Sequence, residues 1–560
     1  MSEPARLDSN GAKPGDGAHS DGLLRCGSLT YTRKGLVVLF CWLLWGDFCF
    51  NLMETIVPSI IPLKLQSLGS ANWLISLIMT TLPGVFNTTI CPWVSFKSDR
   101  YRSRWGRRIP FILFTMPFLT ASLLLIGFSD SLGGWLHRVF FSGSAISQGA
   151  VVIILLGVFV GMFDLFNMFV GSVYYYLYND VVPEHYQSRF MGWSRLVGVA
   201  TSTLYNFFIY KYALSHMREI YVGAALLYFF GFGLMCLKVR EGSYPPVEEG
   251  GGGGFLADVR VFFRDCFSIP FYWLIFLGNM FAAIGATSGV FNVFFLQSLG
   301  LDLDQIGKSA AIAGALVAIC LAFAGWLADK WHPVKVEAYV TAFSVLPLMM
   351  GLLWLFIDPP PGHILFWIIV GGSVFSALLT AVNAVVAMPR IMHLFPREQF
   401  GAFCGAQSMV RAAGTMIGGA GVGIFLDLVR RMVPESGMYF YRYAVVWQVF
   451  FALLTFAFCY AVFRRWRRLG GESGYVPPMQ GQQASLASAP PSRPERASGG
   501  LMVPVILAWA GLCLMLAAYL VYFAWVAKDP HSAMICGAFL AAFIVSLWIF
   551  RRLMAFMERA

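Results

Sequence analysis

Long apolar runs alternate with short polar segments along most of the chain. A helix of about 20 apolar residues crosses the ~30 Å hydrocarbon core of a bilayer. The runs lack the alternation of apolar and polar residues that marks a transmembrane β-barrel. The pattern therefore predicts an all-α polytopic membrane protein with 14 spans. Spans 1–12 lie approximately at 36–61, 73–94, 109–128, 149–177, 190–213, 219–237, 271–297, 306–328, 336–357, 363–388, 402–427 and 443–463, and spans 13 and 14 at 501–526 and 533–550.

Polar segments divide these spans into units. A glycine run and a stretch with apolar residues at helical spacing separate spans 1–6 from spans 7–12, and a segment rich in Pro, Ser and Gln precedes span 13. The predicted units are a disordered cytoplasmic tail (1–34), a six-helix bundle (35–240), a central cytoplasmic loop with an amphipathic helix (241–268), a second six-helix bundle (269–468), a flexible linker (469–500) and a transmembrane hairpin (501–560).

Charge is scarce and is placed unevenly. Only 12% of the residues are charged, against about 25% in soluble domains. The net charge of +11 comes from short Lys and Arg runs beside apolar spans, which the positive-inside rule explains better than nucleic-acid binding does. We therefore expect an integral protein of the plasma (inner) membrane with both termini cytoplasmic. The loop between spans 11 and 12, with Arg430, Arg431 and Arg442, is the exception. The 11 cysteines lack metal-ligand spacing.

Three short patterns recur in both halves of the chain. SFKSDR and GWLADK end spans 2 and 8, Arg-x-x-Gly occurs in spans 5 and 11, and Pro-x₆-Phe-x-Gly precedes each of those two patterns. Three matches in register with a six-plus-six span count predict repeated halves, which are typical of transporters. The matching pieces are 95–100 with 325–330, 195–198 with 411–414, and 183–192 with 396–405.

These residues also carry a family resemblance. GWLADK, with SFKSDRYRSRWGRR, resembles the loop signature of the major facilitator superfamily, although Ser95 replaces the usual Gly and residues 102–105 are inserted. The longer form is similar to glycoside–pentoside–hexuronide/cation symporters and to sucrose/proton symporters. The sequence 179–198 resembles the loop between spans 4 and 5 of the sucrose-type branch. Tyr174 stands where the sucrose branch usually has Arg. The resemblance covers about residues 35–465 and implies two six-helix bundles that rock around a central site.

Charges at the cytoplasmic ends of the spans are predicted to form a gate. Asp99 ends span 2 and can pair with Arg100, with Arg107 or with a neighbouring helix end, locking one conformational state. The alternative is that the arginines only set topology, and Arg195 and Arg411 could instead contact substrate. The predicted gate residues are Asp99, Arg100, Arg107, Arg108, Asp180, Arg195, Asp329, Lys330 and Arg411.

Three acidic residues lie well inside predicted spans, away from the span ends, where ionisable groups are costly and usually functional. Asp47 and Glu54 share one face of span 1 with Asn51, and Asp164 lies near the middle of span 4. The resemblance implies that spans 1 and 4 line a central cavity, so we expect Asp47 and Asp164 to meet there at one depth. Carboxylates in such a cavity can exchange protons near neutral pH or coordinate sodium. The predicted order for cation coupling is Asp47, Asp164, Glu54.

Two alternatives apply to these acids. They could form structural salt bridges with Arg195 or Arg411, and Glu54, nearer the outer surface, could simply be solvated. Amide side chains within the spans are suited to hydrogen-bonding sugar hydroxyls. The predicted substrate contacts are Asn51, Asn167, Asn279, Asn292 and Asn383.

No soluble catalytic machinery is encoded. The P-loop pattern of nucleotide-driven pumps and the helical zinc motif H-E-x-x-H are both missing from the sequence. We expect no enzyme activity, no bound metal and no cofactor beyond a coupling ion, H⁺ or Na⁺. The sequence predicts a monomeric symporter of a sugar or glycoside, with dimerisation through the C-terminal hairpin as an alternative. The alternative functions are transport of a non-sugar solute (a drug, a nucleoside-like molecule or a peptide) and a non-transporting membrane sensor.

Overall fold

The computed structural model describes residues 24–26, 28–87, 94, 103–143, 146–242, 264, 266–396, 399–433 and 437–478. Within this part of the chain, ten helices are long and apolar enough to cross a membrane. Spans 1, 3, 4 and 6 are Arg33–Ser67, Ile109–Gly127, Gln148–Val181 and Met217–Lys238. Spans 7–12 are Pro270–Ser298, Leu303–Lys330, Pro333–Leu355, Gly362–Leu394, Phe400–Met432 and Tyr439–Arg468.

Spans 2 and 5 are helical but contain irregular turns. Span 2 begins as Asn72–Ser76, widens into a π-helical turn at Leu77–Thr81 and continues to residue 87. Span 5 is Glu184–Leu204, followed by a π turn and a 3₁₀ turn that end at residue 212. Each of the twelve spans predicted before residue 463 thus corresponds to a helix, and the all-α polytopic fold is confirmed. Predicted spans 13 and 14 lie outside the described residues.

Most helices overrun the predicted spans by several residues. Span 1 extends to Ser67 instead of 61, and span 4 to Val181 instead of 177. An additional helix, Ser129–Phe140, follows span 3, where the sequence predicts a loop. Its short apolar stretch, interrupted by Asp130, His137 and Arg138, is too polar to register as a span. Span 1 begins on one side of the helix bundle, which we call the proximal side, and the opposite side is the distal side.

A small hairpin stands within the predicted disordered tail. Leu24–Cys26 pairs antiparallel with Leu29–Tyr31. The thiol of Cys26 donates a hydrogen bond to the main-chain carbonyl of Asp180 at 3.5 Å. The end of the tail is therefore held against the proximal end of span 4, whereas the sequence predicts that it is disordered. Residues 1–23 lie outside the described residues.

The first residues of the predicted flexible linker are also held in place. Gly471–Gly474 forms one helical turn, and Glu472 pairs with Lys335 at 2.9 Å. The hydrogen bond from Lys335 holds the pKa of Glu472 below its usual range. The hydroxyl of Tyr475 donates to the carbonyl of Leu394. This segment therefore docks on the proximal ends of spans 9 and 10, whereas residues 479–560 and most of the central loop 241–268 lie outside the described part.

The two Arg-x-x-Gly patterns occupy equivalent positions in the two halves. A Cβ on Gly198 of span 5 would lie 3.1 Å from Oδ1 of Asn51 in span 1. A Cβ on Gly414 of span 11 would lie 2.8 Å from the carbonyl oxygen of Met280 in span 7. Each glycine thus allows the fifth helix of its half to approach the first, and this matched packing supports the internal repeat read from the sequence.

The halves approach each other through spans 2 and 11 and through spans 5 and 8. A Cβ on Gly423 would overlap Oγ of Ser76, and one on Gly307 would overlap the carbonyl oxygen of Asn206. These four residues belong to the distal parts of their helices. The distal side of the molecule is therefore closed by helix packing between the halves.

We predict that larger side chains at the repeated glycines destabilise the protein. Gly414→Leu forces an added side chain against the backbone of span 7, and overpacking costs about 1–3 kcal/mol. Gly401→Leu is the matched control in the same helix, because a Cβ there meets nothing within 4 Å. Thermal unfolding of the purified protein should give a clearly lower Tm for Gly414→Leu than for Gly401→Leu. Equal melting temperatures would contradict the close packing of spans 7 and 11.

Candidate functional site

Two carboxylates and one amide meet between spans 1 and 4. Nδ2 of Asn167 donates a hydrogen bond to Oε1 of Glu54. Glu54 is also close enough to Asp164 for the two side chains to interact electrostatically. Asn167 and Asp164 are three residues apart on span 4, so both point to the same helix face. We call Glu54, Asp164 and Asn167 the carboxylate cluster.

The carboxylate cluster is short of hydrogen-bond partners. Asp164 and Asn167 are 8% and 6% exposed, yet Oδ2 of Asp164 and Oδ1 of Asn167 have no hydrogen-bond partner in the described part of the chain. Glu54 is exposed, and Oε1 of its carboxylate accepts from Asn167. Unpaired oxygen atoms beside two acids are costly in an apolar protein interior. The arrangement can accept a proton or a small cation, which would satisfy them.

Asp47 lies in a different, fully partnered environment. It is 1% exposed, and its carboxylate accepts hydrogen bonds from Ser194 (2.7 Å), Asn51 (3.0 Å) and Tyr178 (3.2 Å). Arg195, the neighbour of Ser194, adds a favourable electrostatic contribution without contact. These donors come from spans 1, 4 and 5, so Asp47 connects three helices of the first half.

Asp47 and Asp164 have different neighbours: Asp47 bonds Ser194, Asn51 and Tyr178, whereas Asp164 shares its cluster with Glu54 and Asn167. The expectation that Asp47 and Asp164 meet in one aqueous cavity stays a prediction. Whether Asp47 takes part in coupling stays a prediction, as do the roles of Glu54 and Asp164.

Tyr174 fills space inside the first half. It is fully buried, and its hydroxyl donates to the carbonyl of Leu43 at 3.1 Å. A Cβ on Gly46 would lie 2.9 Å from that hydroxyl oxygen. The residue at the position where the sucrose branch carries Arg is thus a packing residue between spans 1 and 4.

Three of the predicted gate residues form one ion-pair cluster. Nε of Arg107 and Nε of Arg108 donate to Oδ2 of Asp180 at 2.9 and 3.3 Å. Glu241, which was not among the predicted gate residues, accepts hydrogen bonds from the backbone N–H groups of Arg107, Arg108 and Ile109. A carboxylate is favourable there because the first N–H groups of a helix lack partners within the helix. Asp180 and Glu241 thus bring Arg107, Arg108 and the start of span 3 together within the first half.

Of the other predicted gate residues, the structure describes the side chains of Arg195, Arg411 and Lys330. Arg195 and Arg411 are both exposed, and neither forms an ion pair with any residue in the described part of the chain. The structural salt bridges considered for the acids of spans 1 and 4 are therefore not formed here. Lys330 is exposed at the end of span 8. Asp99, Arg100 and the side chain of Asp329 fall outside the described residues.

A buried ion pair in the second half engages one predicted substrate contact. Nη1 of Arg390 lies 3.2 Å from Oε1 of Glu337, and its Nη2 donates to Oδ1 of Asn279 at 3.2 Å. Glu337 and Arg390 are 8% and 9% exposed. The sequence signal was available, since Glu337 lies within a predicted span and Arg390 directly after one. Asn279 is thus engaged with protein, whereas Asn383 is exposed and Asn292 lines a cavity within the second half.

A cross-half contact on the distal side was not predicted from the sequence. Asp427 of span 11 accepts hydrogen bonds from the backbone N–H groups of Asn72 (3.1 Å) and Trp73 (2.9 Å) and from Nδ2 of Asn72 (2.8 Å). Oδ1 of Asn72 accepts from the hydroxyl of Tyr441 at 2.9 Å. Asn72 and Trp73 are the first residues of span 2. The second half therefore caps a helix of the first, and we call these four residues the distal latch.

The contacts of Arg442 account for one of the three arginines between spans 11 and 12, the loop that departs from the positive-inside rule. It is 6% exposed and donates to the carbonyls of Trp354 and Ser298, at the distal ends of spans 9 and 7. Its guanidinium also lies 4.5 Å from the ring centre of Tyr439. A cation at helix C-termini is favourable because the last carbonyls lack partners within the helix. Arg442 is therefore a packing residue of the fold.

Comparison with solved structures identifies proteins of the same fold. A bacterial homologue of the human lysosomal transporter Spinster, in an inward-facing and unoccupied conformation, is 14% identical, with a TM-score of 0.57 over 78% of this chain and 98% of that one. The nucleoside transporter NupG is 12% identical, with a TM-score of 0.54 over 76% and 100%. A D-xylose–proton symporter is 12% identical, with a TM-score of 0.52 over 74% and 97%. At such identities the likeness concerns the fold.

Sequence comparison leads to the same group of proteins. No curated protein sequence matches the chain. Residues 173–419, which run from span 4 into span 11, match the family model described as Major Facilitator Superfamily. The family match spans residues 173–419, and the solved transporters share the fold of about three quarters of the chain.

Proposed function

We propose that the protein is a secondary active transporter that couples the movement of a proton or sodium ion to symport of a sugar or glycoside. The carboxylate cluster is the observation that carries this proposal. Two acids from different helices approach each other inside a membrane bundle, and two buried oxygen atoms of the cluster lack partners among the described residues. A cation would satisfy these atoms, and its release would leave them uncompensated. Binding of the ion can therefore bias the protein between two conformations.

Alternating access follows from the placement of the close contacts. Major facilitator halves rock around a site near the middle of the bilayer. Here the halves are joined at the distal side by the distal latch and by the glycine contacts of Gly423 and Gly307. We assign the proximal side to the cytoplasm, because the Lys and Arg runs lie there. With this assignment, the closed distal side would face outward in a plasma-membrane protein, as an inward-facing state requires.

The substrate class rests on the motif resemblance to glycoside and sucrose symporters. The D-xylose–proton symporter and the nucleoside transporter have the same fold, so the fold does not choose between sugar and non-sugar solutes. Asn383, an exposed amide in span 10, remains a candidate for bonding a sugar hydroxyl. A panel of labelled sugars, nucleosides and peptides in proteoliposomes, with imposed pH or sodium gradients, tests the proposal. Lack of any gradient-driven uptake would favour a non-transporting sensor.

We predict that the carboxylate cluster is needed for uphill transport. Asp164→Asn and Glu54→Gln keep the side-chain shape but cannot take up the coupling cation. Both variants should lose gradient-driven accumulation in proteoliposomes, down to passive equilibration, and should retain substrate exchange. Asp304→Asn, which removes a surface ion pair with Lys308, is the control and should accumulate normally.

The variant Asp47→Asn tests whether Asp47 or Glu54 is the acid of span 1 that takes part in coupling. If coupling runs through the carboxylate cluster, Asp47→Asn should retain a larger part of the accumulation than Asp164→Asn does. The assignment fails if Asp164→Asn and Glu54→Gln accumulate substrate like the wild type, or if Asp47→Asn alone abolishes accumulation.

The distal latch should hold the distal side closed. Asp427→Ala removes three hydrogen bonds to a carboxylate, and such bonds are worth about 1.5–3 kcal/mol each. Ser76 is fully buried between the halves, so a Ser76→Cys thiol should react with an impermeant maleimide only when the distal side opens. Asp427→Ala should raise this labelling rate at least tenfold above the background of native cysteines.

Asp358→Ala is the matched control for the latch, because Asp358 is an exposed acid of another distal loop. It should leave the labelling rate of Ser76→Cys unchanged. Equal rates with and without Asp427→Ala would show that the latch does not control opening.

A further inference from the structure

The second half encloses a cavity of about 750 Å³. Its walls come from spans 7, 8, 9, 10 and 12, and no residue of the described first half lines it. The cavity is therefore separate from the carboxylate cluster, which lies between spans 1 and 4. Its size is within the range of sites for small molecules, about 300–1,000 Å³.

The cavity wall is uncharged and largely apolar. Its lining includes Phe295, Leu348 and Trp354, and none of the lining residues is acidic or basic. The hydroxyls of Ser288 and Ser309 donate to carbonyls of their own helices and are thereby satisfied. A charged headgroup would lose its hydration here without gaining a counter-ion, which is costly. The lining thus selects for an uncharged molecule.

Two amides are among the polar groups of the wall that are free to bind a ligand. Asn292 of span 7 and Gln448 of span 12 both line the cavity, and neither side chain has a hydrogen-bond partner within the described residues. Each amide can donate and accept hydrogen bonds. A hydroxyl group can do the same, so one hydroxyl-bearing ligand matches the polar groups that the wall leaves unpaired.

The cavity opens among apolar side chains of the membrane-crossing region. Met350 of span 9 and Ile368 of span 10 line it and are 65% and 46% exposed. Side chains of this kind at the surface of a span face hydrocarbon. A molecule entering past them would come from the bilayer.

We propose that this cavity binds an uncharged amphiphile dissolved in the membrane, with an apolar body and a hydroxyl headgroup that Asn292 and Gln448 hydrogen-bond. A sterol and a monoacylglycerol share this chemistry. Fatty acids and phospholipids do not, because their charged groups would find no partner. This ligand is distinct from the transported solute, and its site does not depend on the coupling mechanism.

Two adjacent glycines provide a matched pair of variants. Gly372 lines the cavity and Gly371 does not, and a Cβ at either position meets nothing within 4 Å. Gly372→Phe should therefore fill the cavity without a backbone clash, while Gly371→Phe makes the same chemical change on another face of span 10. Asn292→Leu removes one amide at similar volume and serves as a second variant.

The experiment uses the full-length protein in liposomes with photoactivatable probes: a diazirine sterol, a diazirine monoacylglycerol, a diazirine fatty acid and a diazirine phosphatidylcholine. At least one of the two uncharged probes should label peptides from spans 7–10 or 12, and the charged probes should not. Comparing the sterol with the monoacylglycerol identifies the source of the ligand. Gly372→Phe should lower the labelling at least fivefold, Asn292→Leu should lower it, and Gly371→Phe should leave it unchanged.

Three results would overturn the proposal. They are equal labelling of Gly372→Phe and wild type, labelling of the same peptides by a charged probe, and competition for labelling by a water-soluble sugar. The last result would assign the cavity to the transport route.

Discussion

The structure is governed by the cost of placing charged groups where water is scarce. An acid or base within a membrane bundle is stable only if other groups satisfy it. Asp47 meets this condition with three hydrogen-bond donors, and Arg390 meets most of it with Glu337 and Asn279. Glu337 also has a buried oxygen without a partner among the described residues, but its other oxygen pairs with Arg390. In the carboxylate cluster, Oδ2 of Asp164 lacks a partner in the described part of the chain, and no ion pair there compensates it.

The same condition operates at the helix ends. Glu241 accepts hydrogen bonds from the backbone N–H groups at the start of span 3, and Asp427 accepts from those at the start of span 2. Arg442 donates to the carbonyls at the ends of spans 7 and 9. Two of these contacts lie within one half and one joins the halves. Contacts within a half can persist while the halves move as rigid bodies. The contact between them must break, which makes Asp427 the natural conformational control point.

The helices and their order could be read from the sequence because apolar length is a strong signal in membranes. The partners of each acid could not be read from the sequence, because they depend on how the neighbouring helices pack. Glu54, not Asp47, is the acid of span 1 that contacts Asn167, three residues after Asp164 on span 4. The repeated Arg-x-x-Gly pattern was visible, but its cause, the close approach of Gly198 and Gly414 to the first helix of each half, needed coordinates. The distal latch gave no local signal, since its partners are 355 residues apart.

Two of the three hydrogen bonds to Asp427 come from the main chain, so they depend little on which side chains occupy positions 72 and 73. Substitutions at these two positions would leave most of the hydrogen bonds between the halves intact. Proline is different, because it carries no amide hydrogen yet is tolerated in the first turn of a helix. Introduced at position 73, it would loosen the hold of one bundle on the other while leaving the helix that begins there unbroken.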